Sequence, residues 1–181
     1  LLALPGCTQQ AEEFFEITHL KKYADQYGFI VIVPEQSILK NPFKCWNWYS
    51  RRATKNKAET RKIMNLVKEI QSHYNLAEDK LFVMGFSAGA AMANVVASCY
   101  INDVRAVAIH DGAHYRSLNL LHPIRFIKTG SGRDLNKAVN DAFKCNDRAP
   151  TKSLAAMIIQ GDDVKLIPET FAHKTFNFYK S

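Results

Sequence analysis

The segment KLFVMGFSAGAAMANVVAS, residues 80–98, constrains the fold of this chain more than any other. An apolar run typical of a buried strand stops at Gly85, and a run of small helix formers begins at Ala88. A strand must therefore turn almost directly into a helix. Such a corner places Ser87 in strained backbone geometry, and the flanking Gly85 and Gly89 relieve the crowding that side chains would cause there.

The corner predicts a nucleophile. A strand-to-helix turn of the G-x-S-x-G type exposes the serine hydroxyl above the edge of a sheet. It also lies at a helix N-terminus, where the helix dipole and unpaired N–H groups favour developing negative charge. We therefore expect Ser87 to attack a substrate and the N–H of Ala88 to face the resulting oxyanion. The alternative is a tight turn in which Ser87 merely caps the helix.

Strand-like and helix-like segments alternate along the chain. Apolar runs that indicate strands occupy residues 1–4, 28–34, 80–85, 104–110 and 154–160. Helical spacing of apolar residues lies between them, at residues 20–27, 63–74, 88–99 and 135–143. This order predicts an α/β fold with a mostly parallel sheet and helices on both faces. Ligands bind beyond the carboxyl ends of such strands, so residues 85–89, 110–112 and 161–163 should cluster at one edge.

Size and charge narrow the range of partners. A chain of 181 residues that is 47% hydrophobic suits one domain with a sizeable core. It contains no run of about 18 apolar residues, so we expect no membrane-spanning segment. The net charge is +7, and half of residues 51–62 are Lys or Arg. No aromatic residue interleaves in that basic run, so we interpret it as a solvated loop and expect no nucleic-acid partner.

The four cysteines leave two interpretations open. Cys7, Cys45, Cys99 and Cys145 are widely spaced and include no C-x-x-C pair, which argues against a zinc site. They could form two disulfides in an oxidising compartment, with three pairings possible. They could equally be buried thiols. We expect neither a metal nor a cofactor.

Two further stretches carry candidate site residues. A second oxyanion donor is expected after an early strand, where Pro5-Gly6 precedes the N–H groups of Cys7 and Thr8; the alternative is an ordinary strand-end turn. Trp46 and Trp48 lie in the aromatic stretch NPFKCWNWYS. They could pack against the core, or at least one could line a substrate cleft, because alternating residues can face opposite ways.

Four segments together resemble the esterase/polyhydroxybutyrate depolymerase family of α/β-hydrolases, which also contains feruloyl and acetylxylan esterases. These segments are PGCTQ at 5–9, YGFIVIVPEQS with NPFKCWNWY at 27–49, LFVMGFSAGAAMA at 81–93 and AVAIHDGAHY at 106–115. The stretch PEQS followed by CWNW is far more specific than the corner. The resemblance implies an α/β-hydrolase fold and hydrolysis of ester bonds. It also implies Ser87 as nucleophile, with the amides of Cys7 and Ala88 as oxyanion donors.

The chain departs from the family pattern near the expected site. Pro5 replaces a histidine, and the family's histidine–serine–glycine is His110-Asp111-Gly112 here. The basic run from Arg51 replaces a glycine-rich stretch. These changes indicate altered substrate preference or weakened activity.

The resemblance places the triad acid after the last strand. A deletion of one residue in the turn makes Asp163 the expected acid, with Asp162 in reserve. The alternative is that both carboxylates are solvated turn residues. Asp163 would orient the catalytic histidine.

The order in α/β-hydrolases is serine, acid, histidine. Only His173 follows the acid, and its surroundings do not resemble the family's histidine loop. We interpret it as a surface or helix histidine and expect the catalytic histidine beyond residue 181. The α/β-hydrolase fold would then be incomplete at both ends. We expect His110 to be a buried, hydrogen-bonded residue at the end of its strand.

These observations predict a secreted or periplasmic serine esterase that acts on a small-molecule or polymeric ester. The substrate class would be polyhydroxybutyrate-like or feruloyl-like, and Trp46, Trp48 and His110 would contact it. One alternative is a catalytically impaired relative that binds esters, glycans or a protein through the same cleft. Another is a peptidase on the same fold.

Overall fold

The computed structural model shows strands and helices that alternate along the chain. It describes residues 1–50, 58–118, 134–146, 150–162 and 167–181. The strands are β1 (Leu2–Leu4), β2 (Leu81–Phe86), β3 (Val104–His110) and β4 (Ala155–Ile159). The helices are α1 (Ala11–Ile17), α2 (Leu20–Tyr27), α3 (Ala58–His73), α4 (Ala88–Cys99), α5 (Leu135–Cys145) and α6 (Thr170–Lys180), and a short 3-10 helix (Glu78–Lys80) precedes β2. Within these ranges, no helix combines the length and the apolar character that crossing a bilayer requires.

The four strands form one parallel sheet in the spatial order β1-β2-β3-β4. At its carboxyl edge Leu4 pairs with Gly85, Phe86 pairs with His110, and His110 pairs with Ile159. Because parallel strands end on the same side, the segments that follow them meet there. The expected clustering at one edge is therefore confirmed for the described segments.

The strand expected over residues 28–34 is wrong in extent. Only Ile32 joins the sheet, through a parallel bridge to Leu2. The Ile32 N–H donates to the Leu1 carbonyl at 2.8 Å, and the Ala3 N–H donates to the Ile32 carbonyl at 2.9 Å. β1 is only three residues long, so this segment pairs with it at a single bridge. Ile32 is buried whereas its neighbours are half-exposed, so the segment is not covered on both faces as its apolar run suggested.

The main core lies between the sheet and helices α3 to α6. Helix α4 is buried along nearly its whole length and packs against β1, β2 and β3, as expected for a helix that is apolar all round. On the opposite face, Phe14 of α1 and Leu20 of α2 pack against Ala3 of β1. Helices therefore lie on both faces, as predicted. On the face covered by α1 and α2, β4 is left open to solvent, and its Met157 is 62% exposed.

Two disulfides use all four cysteines. Cys7–Cys45 links the loop after β1 to the aromatic stretch, and Cys99–Cys145 links the last residues of α4 and α5. This pairing decides among the three possibilities that the sequence left open, and it excludes the alternative of buried thiols.

Candidate active site

Ser87 occupies the corner between β2 and α4 in a conformation that few residues other than glycine adopt. Its backbone angles are φ 54° and ψ −120°. Such backbone strain costs about 1–3 kcal/mol and persists only where the surrounding structure imposes it. The Ser87 N–H donates to the His110 carbonyl at 2.9 Å, and the Ser87 carbonyl accepts from the Ala91 N–H at 3.0 Å. The corner therefore has the strained geometry that the sequence predicted.

The two glycines around Ser87 are required by close approach of the backbone. A Cβ atom on Gly85 would collide with the carbonyl group of Gly89. A Cβ atom on Gly89 would collide with the carbonyl oxygens of Leu4 and Pro5. No change of rotamer can relieve these collisions, because every atom involved belongs to the main chain. The first turn of α4 therefore lies directly against the end of β1.

The Ser87 hydroxyl is not used to hold the helix. Its side chain makes no capping hydrogen bond to α4, so the alternative in which Ser87 merely caps the helix is wrong. The residue is half-buried. Its hydroxyl has no hydrogen-bond partner in the part of the chain that the structure describes. It lies beside the first turn of α4, where orphan amides favour negative charge.

Two main-chain amides near this corner donate no hydrogen bond to any described residue. Ala88 is the first residue of α4, so its N–H has no acceptor within the helix. Cys7 follows β1 at the same edge of the sheet. The close approach of Gly89 to the Pro5 carbonyl brings the Cys7 loop against the first turn of α4. Both expected oxyanion donors therefore lie at the edge where Ser87 stands.

Thr8, the other donor that the sequence suggested, is engaged elsewhere. Its N–H donates to the Phe43 carbonyl at 2.8 Å, and its hydroxyl donates to the Cys7 carbonyl at 2.6 Å. Its φ is 64°, which turns the loop sharply at this residue. The Gly6 N–H is also taken, by Gln9 Oε1 at 2.7 Å. These bonds make Cys7 the better oxyanion donor of the two candidates.

The loop that carries Cys7 is fixed by the aromatic stretch. The Cys7–Cys45 disulfide is one attachment. The indole N–H of Trp46 is another, since it donates to the Pro5 carbonyl at 3.0 Å. Trp46 is only 4% exposed, so the expectation that it lines a substrate cleft is corrected. Trp46 packs in the interior, and its indole N–H is the donor that the buried Pro5 carbonyl requires.

Glu59 in the first turn of α3 holds the aromatic stretch in place. Its Oε2 accepts from the Asn47 N–H at 2.9 Å, and its Oε1 accepts from Gln36 Nε2 at 2.6 Å and from the Asn47 side-chain amide. Gln36 is buried, and the bonds to the Glu59 carboxylate are charge-assisted, which makes them stronger than bonds between neutral groups. Sequence reasoning missed this role. Helical periodicity identifies the apolar face of α3, and an acidic residue in a first turn is ordinary.

Trp48 borders the edge at which Ser87 stands. It is half-buried and packs against a small cluster formed by Ala91, Ala113 and Phe171. Ala91 lies in the first turn of α4, and Ala113 lies just after β3. The alternation expected for the two tryptophans is therefore present, with Trp48 as the more accessible one. Its contact with substrate stays a prediction.

His110 differs from its predicted environment. Its side chain is 44% exposed rather than buried. The imidazole meets the Phe86 ring edge to face, with ring centroids 5.2 Å apart, and its Nε2 lies 3.4 Å from Oδ2 of Asp111. The apolar contacts of α1 and α2 with the sheet involve residues of β1 and β2, and His110 of β3 is not among them. The expected substrate contact of His110 stays a prediction.

The turn after β4 is described only in part. Asp162 is exposed. Asp163, the expected triad acid, lies outside the described residues. The Gly161 N–H donates to Asp111 Oδ1 at 2.9 Å, which places the start of this turn at the edge where Ser87 stands.

No histidine within the described residues forms a hydrogen bond with the Ser87 hydroxyl. His173 lies on α6 with a side chain 73% exposed, and its Nε2 is 3.3 Å from Glu169 Oε1 one turn earlier. Its interpretation as a surface helix histidine is confirmed. His122 lies outside the described residues. The expectation of a catalytic histidine beyond residue 181 stays a prediction.

A half-buried tyrosine lies behind α4, away from the Ser87 corner. Burial raises the pKa of Tyr179, and a hydrogen bond with Ser98 opposes that rise. The Tyr179 hydroxyl donates to Asn94 Oδ1 at 3.1 Å, and Asn94 Nδ2 donates to the Ala113 carbonyl at 3.2 Å. This network joins α6 to α4 and to the segment after β3. Its hydrogen bond to Asn94 and its contacts with the core make Tyr179 a packing residue.

Comparison with known proteins places this geometry in a family context. A family model described as "Esterase PHB depolymerase" matches residues 1–177. Probable acetylxylan esterase A of Aspergillus clavatus is 34% identical over 116 residues, which are 62% of this chain and 36% of that protein. Feruloyl esterase B of Neurospora crassa is 33% identical over 114 residues, which are 62% of this chain and 38% of that protein. The match thus spans well under half the length of these relatives.

A solved structure has the same architecture. Acetyl xylan esterase from Aspergillus awamori matches with a TM-score of 0.82 at 21% identity, over 99% of this chain and 70% of that chain. At this identity the likeness concerns the fold. It confirms the α/β-hydrolase fold that the sequence predicted.

Proposed function

Because the chain belongs to the esterase PHB depolymerase family, we propose that the protein is a serine hydrolase that cleaves carboxylic ester bonds. The Ser87 corner is the observation that carries this proposal. It combines an uncapped hydroxyl with a positive φ, next to the first amide of α4. A backbone strained in this way is typical of functional sites.

Acylation begins when Ser87 Oγ attacks the carbonyl carbon of the ester. The catalytic histidine, expected beyond residue 181, takes the hydroxyl proton, because a serine hydroxyl is a poor nucleophile without a base. The N–H groups of Ala88 and Cys7 stabilise the oxyanion of the tetrahedral intermediate. When this intermediate collapses, the C–O bond breaks and the alcohol leaves with the proton from the histidine. The acyl group stays on Ser87.

Deacylation repeats the same sequence with water. The histidine takes a proton from the water, whose oxygen attacks the acyl carbon. The same two amides hold the second oxyanion, and the carboxylic acid leaves as Ser87 regains its proton. Asp163, with Asp162 in reserve, orients the histidine throughout. Main-chain donors and side chains supply every step, so the scheme requires neither a metal nor a cofactor.

The substrate and the compartment follow from the relatives and the cysteines. Two relatives are named for acetylxylan and feruloyl esters, so we infer an ester of a polysaccharide or another polymer, with Trp48 and His110 at the rim. Both disulfides suit an oxidising environment, which supports a secreted or periplasmic protein.

One alternative function has specific observations in its favour. Pro5 stands where the family pattern has histidine, and no described histidine hydrogen-bonds to Ser87. A relative without an effective base would keep the cleft and bind esters, glycans or a protein through it. Oxyanion and binding contributions alone leave catalysis several orders of magnitude below that of a full triad.

A fluorophosphonate probe distinguishes the two functions. The full-length protein should be labelled at Ser87, and Ser87→Ala should abolish the labelling. Ser72→Ala, at an exposed serine near the end of α3, is the matched control and should label normally. A folded protein that resists the probe, and that retains an ester ligand in equilibrium dialysis, would establish the binding function instead.

A further inference from the structure

Asp111 is a buried carboxylate in an uncommon conformation at the junction of two strand ends. It is 5% exposed, and its φ is 50°. Burial penalises an ionised carboxylate unless specific partners compensate for the lost water. The partners of Asp111 indicate what the carboxylate does.

The first contact of Asp111 reaches the turn after β4. Its Oδ1 accepts the Gly161 N–H at 2.9 Å, and its own N–H donates to the Ile159 carbonyl at 2.9 Å. These bonds extend the pairing of β3 with β4 beyond the ladder.

The second contact of Asp111 reaches the imidazole of His110. Oδ2 lies 3.4 Å from Nε2, and the Phe86 ring supports the other side of the imidazole. A polar contact with a half-exposed partner adds little stability, because water competes for it and screens it. Its effect is therefore on orientation: it directs one edge of the ring to the carboxylate and leaves Nδ1 facing away from it.

Asp111 is also packed against the helix that carries the Ser87 corner. A Cβ atom on the next residue, Gly112, would lie 2.5 Å from the Cβ atom of Ala90 in α4. The preceding residue, His110, accepts the Ser87 N–H through its carbonyl. Neither neighbour of Asp111 can shift freely. The carboxylate is therefore held at a constant position relative to the nucleophile.

We propose that Asp111 is a positioning residue for the reaction of Ser87. Its Oδ1 holds the turn that begins at Gly161, from which the triad acid is expected, and its Oδ2 orients His110 toward the bound ester. The inference rests on the proposed ester hydrolysis. Asp111 touches neither substrate nor the reacting atoms and acts only through Gly161 and His110.

Amide hydrogen exchange at Gly161, followed by NMR on the full-length protein, tests the first contact without reference to activity. Asp111→Ala removes the acceptor and should speed this exchange at least about tenfold. Asp111→Asn keeps a carbonyl oxygen there and should leave the rate within about threefold. Asp79→Ala, at an exposed aspartate before β2, is the matched control. Unchanged exchange in Asp111→Ala would overturn the proposal.

Steady-state hydrolysis of p-nitrophenyl acetate separates the two contacts. Asp111→Ala should lower kcat at least about tenfold, because small displacements in an active site are costly. Asp111→Asn should keep kcat within about threefold and raise KM about two- to fivefold, since the imidazole loses its charged partner. His110→Gln should raise KM equally, and His73→Gln, at an exposed histidine, should not. Equal losses of kcat in both Asp111 variants, or an unchanged KM in Asp111→Asn and His110→Gln, would overturn the assignment.

The same variants keep the two proposals apart. If wild type is labelled by the fluorophosphonate and Asp111→Ala turns over normally, hydrolysis stands and the positioning role fails. If wild type is neither labelled nor active, hydrolysis fails, and exchange at Gly161 alone decides whether Asp111 holds the turn. If Asp111→Ala does not fold, the KM values of Asp111→Asn and His110→Gln decide. A purely structural residue would lower Tm without the split between kcat and KM.

Discussion

The Ser87 corner and the Cys7 loop are proposed to serve one site, yet they are held in different ways. The corner is built by five consecutive residues whose glycines let main-chain atoms approach closely. The loop is held by the side chains of distant residues. Its disulfide bridges a separation of 38 residues, and the bond from Trp46 to Pro5 spans 41.

This difference has a physical consequence. A corner limited by sterics tolerates almost no substitution, because its atoms have no space to move into. A loop held by several remote attachments should be displaced partly when one attachment is removed, and further with each additional loss. Substitutions at the corner should therefore affect folding first, whereas substitutions around the loop should affect turnover more than their cost in stability suggests.

The largest expected effect is at Gly89. Gly89→Ala should lower the free energy of unfolding by more than about 4 kcal/mol, because the added Cβ meets main-chain oxygens that cannot move away. Gly28→Ala is the control, since Gly28 has φ 66° and open space around it. That substitution should cost about 1–2 kcal/mol. Urea unfolding measures both values, and equal costs would show that close approach does not constrain the corner.

Removal of each disulfide in turn should have the next largest effect on stability, and the two removals can be compared directly. They close similar spans, with separations of 38 and 46 residues, so loss of either should cost about 4 kcal/mol. Cys7→Ser with Cys45→Ser should also lower kcat about tenfold or more, because an oxyanion amide loses its support.

Cys99→Ser with Cys145→Ser should leave kcat near wild type, since that bridge joins helix ends away from the corner. Measurement of kcat for both double variants, at a temperature well below the Tm of each, tests this difference. If both double variants lose kcat to the same extent, the Cys7 bridge has no special role in the site.

The bond from Trp46 to Pro5 should have an intermediate effect. Trp46→Phe keeps most of the apolar contact but leaves a carbonyl without its donor, which costs about 1–3 kcal/mol. We expect kcat to fall as well, because the adjacent Cys7 amide loses its alignment. Trp48→Phe, at the more accessible tryptophan of the same stretch, is the comparison and should change KM. Denaturant unfolding together with steady-state kinetics tests the contrast, and a stable, fully active Trp46→Phe would contradict it.

The smallest expected effect is at Glu59. Glu59→Gln keeps the size of the side chain, but it removes the charge and replaces one accepting oxygen with a donor, so it should cost about 1 kcal/mol. Glu69→Gln, at an exposed position on the same helix, should stay within about 0.5 kcal/mol of wild type. Thermal unfolding of the two variants gives the difference. Identical Tm values would mean that the network does not hold the aromatic stretch.

Sequence reasoning was most accurate where structure depends on neighbours along the chain. The strand expected at residues 104–110 matches β3, and the expected helix at 88–99 matches α4. The same reasoning overestimated the strand at 28–34, because the length of that strand depends on its partner. It also placed His110 in the interior, because periodicity does not reveal how far the helices on a face extend.

The sequence by itself determined the strand, the corner and the helix around Ser87, and with them the fold class and the position of Ser87 at the edge of the sheet. Apolar periodicity and the steric need for glycine act between residues a few positions apart, so they can be read directly from the chain. Only the tertiary structure decided the partner of each cysteine, the acceptor for Trp46 and the two contacts of Asp111. Those depend on which distant segments meet in space, and hydrogen bonds and disulfides form only between groups brought together in that way.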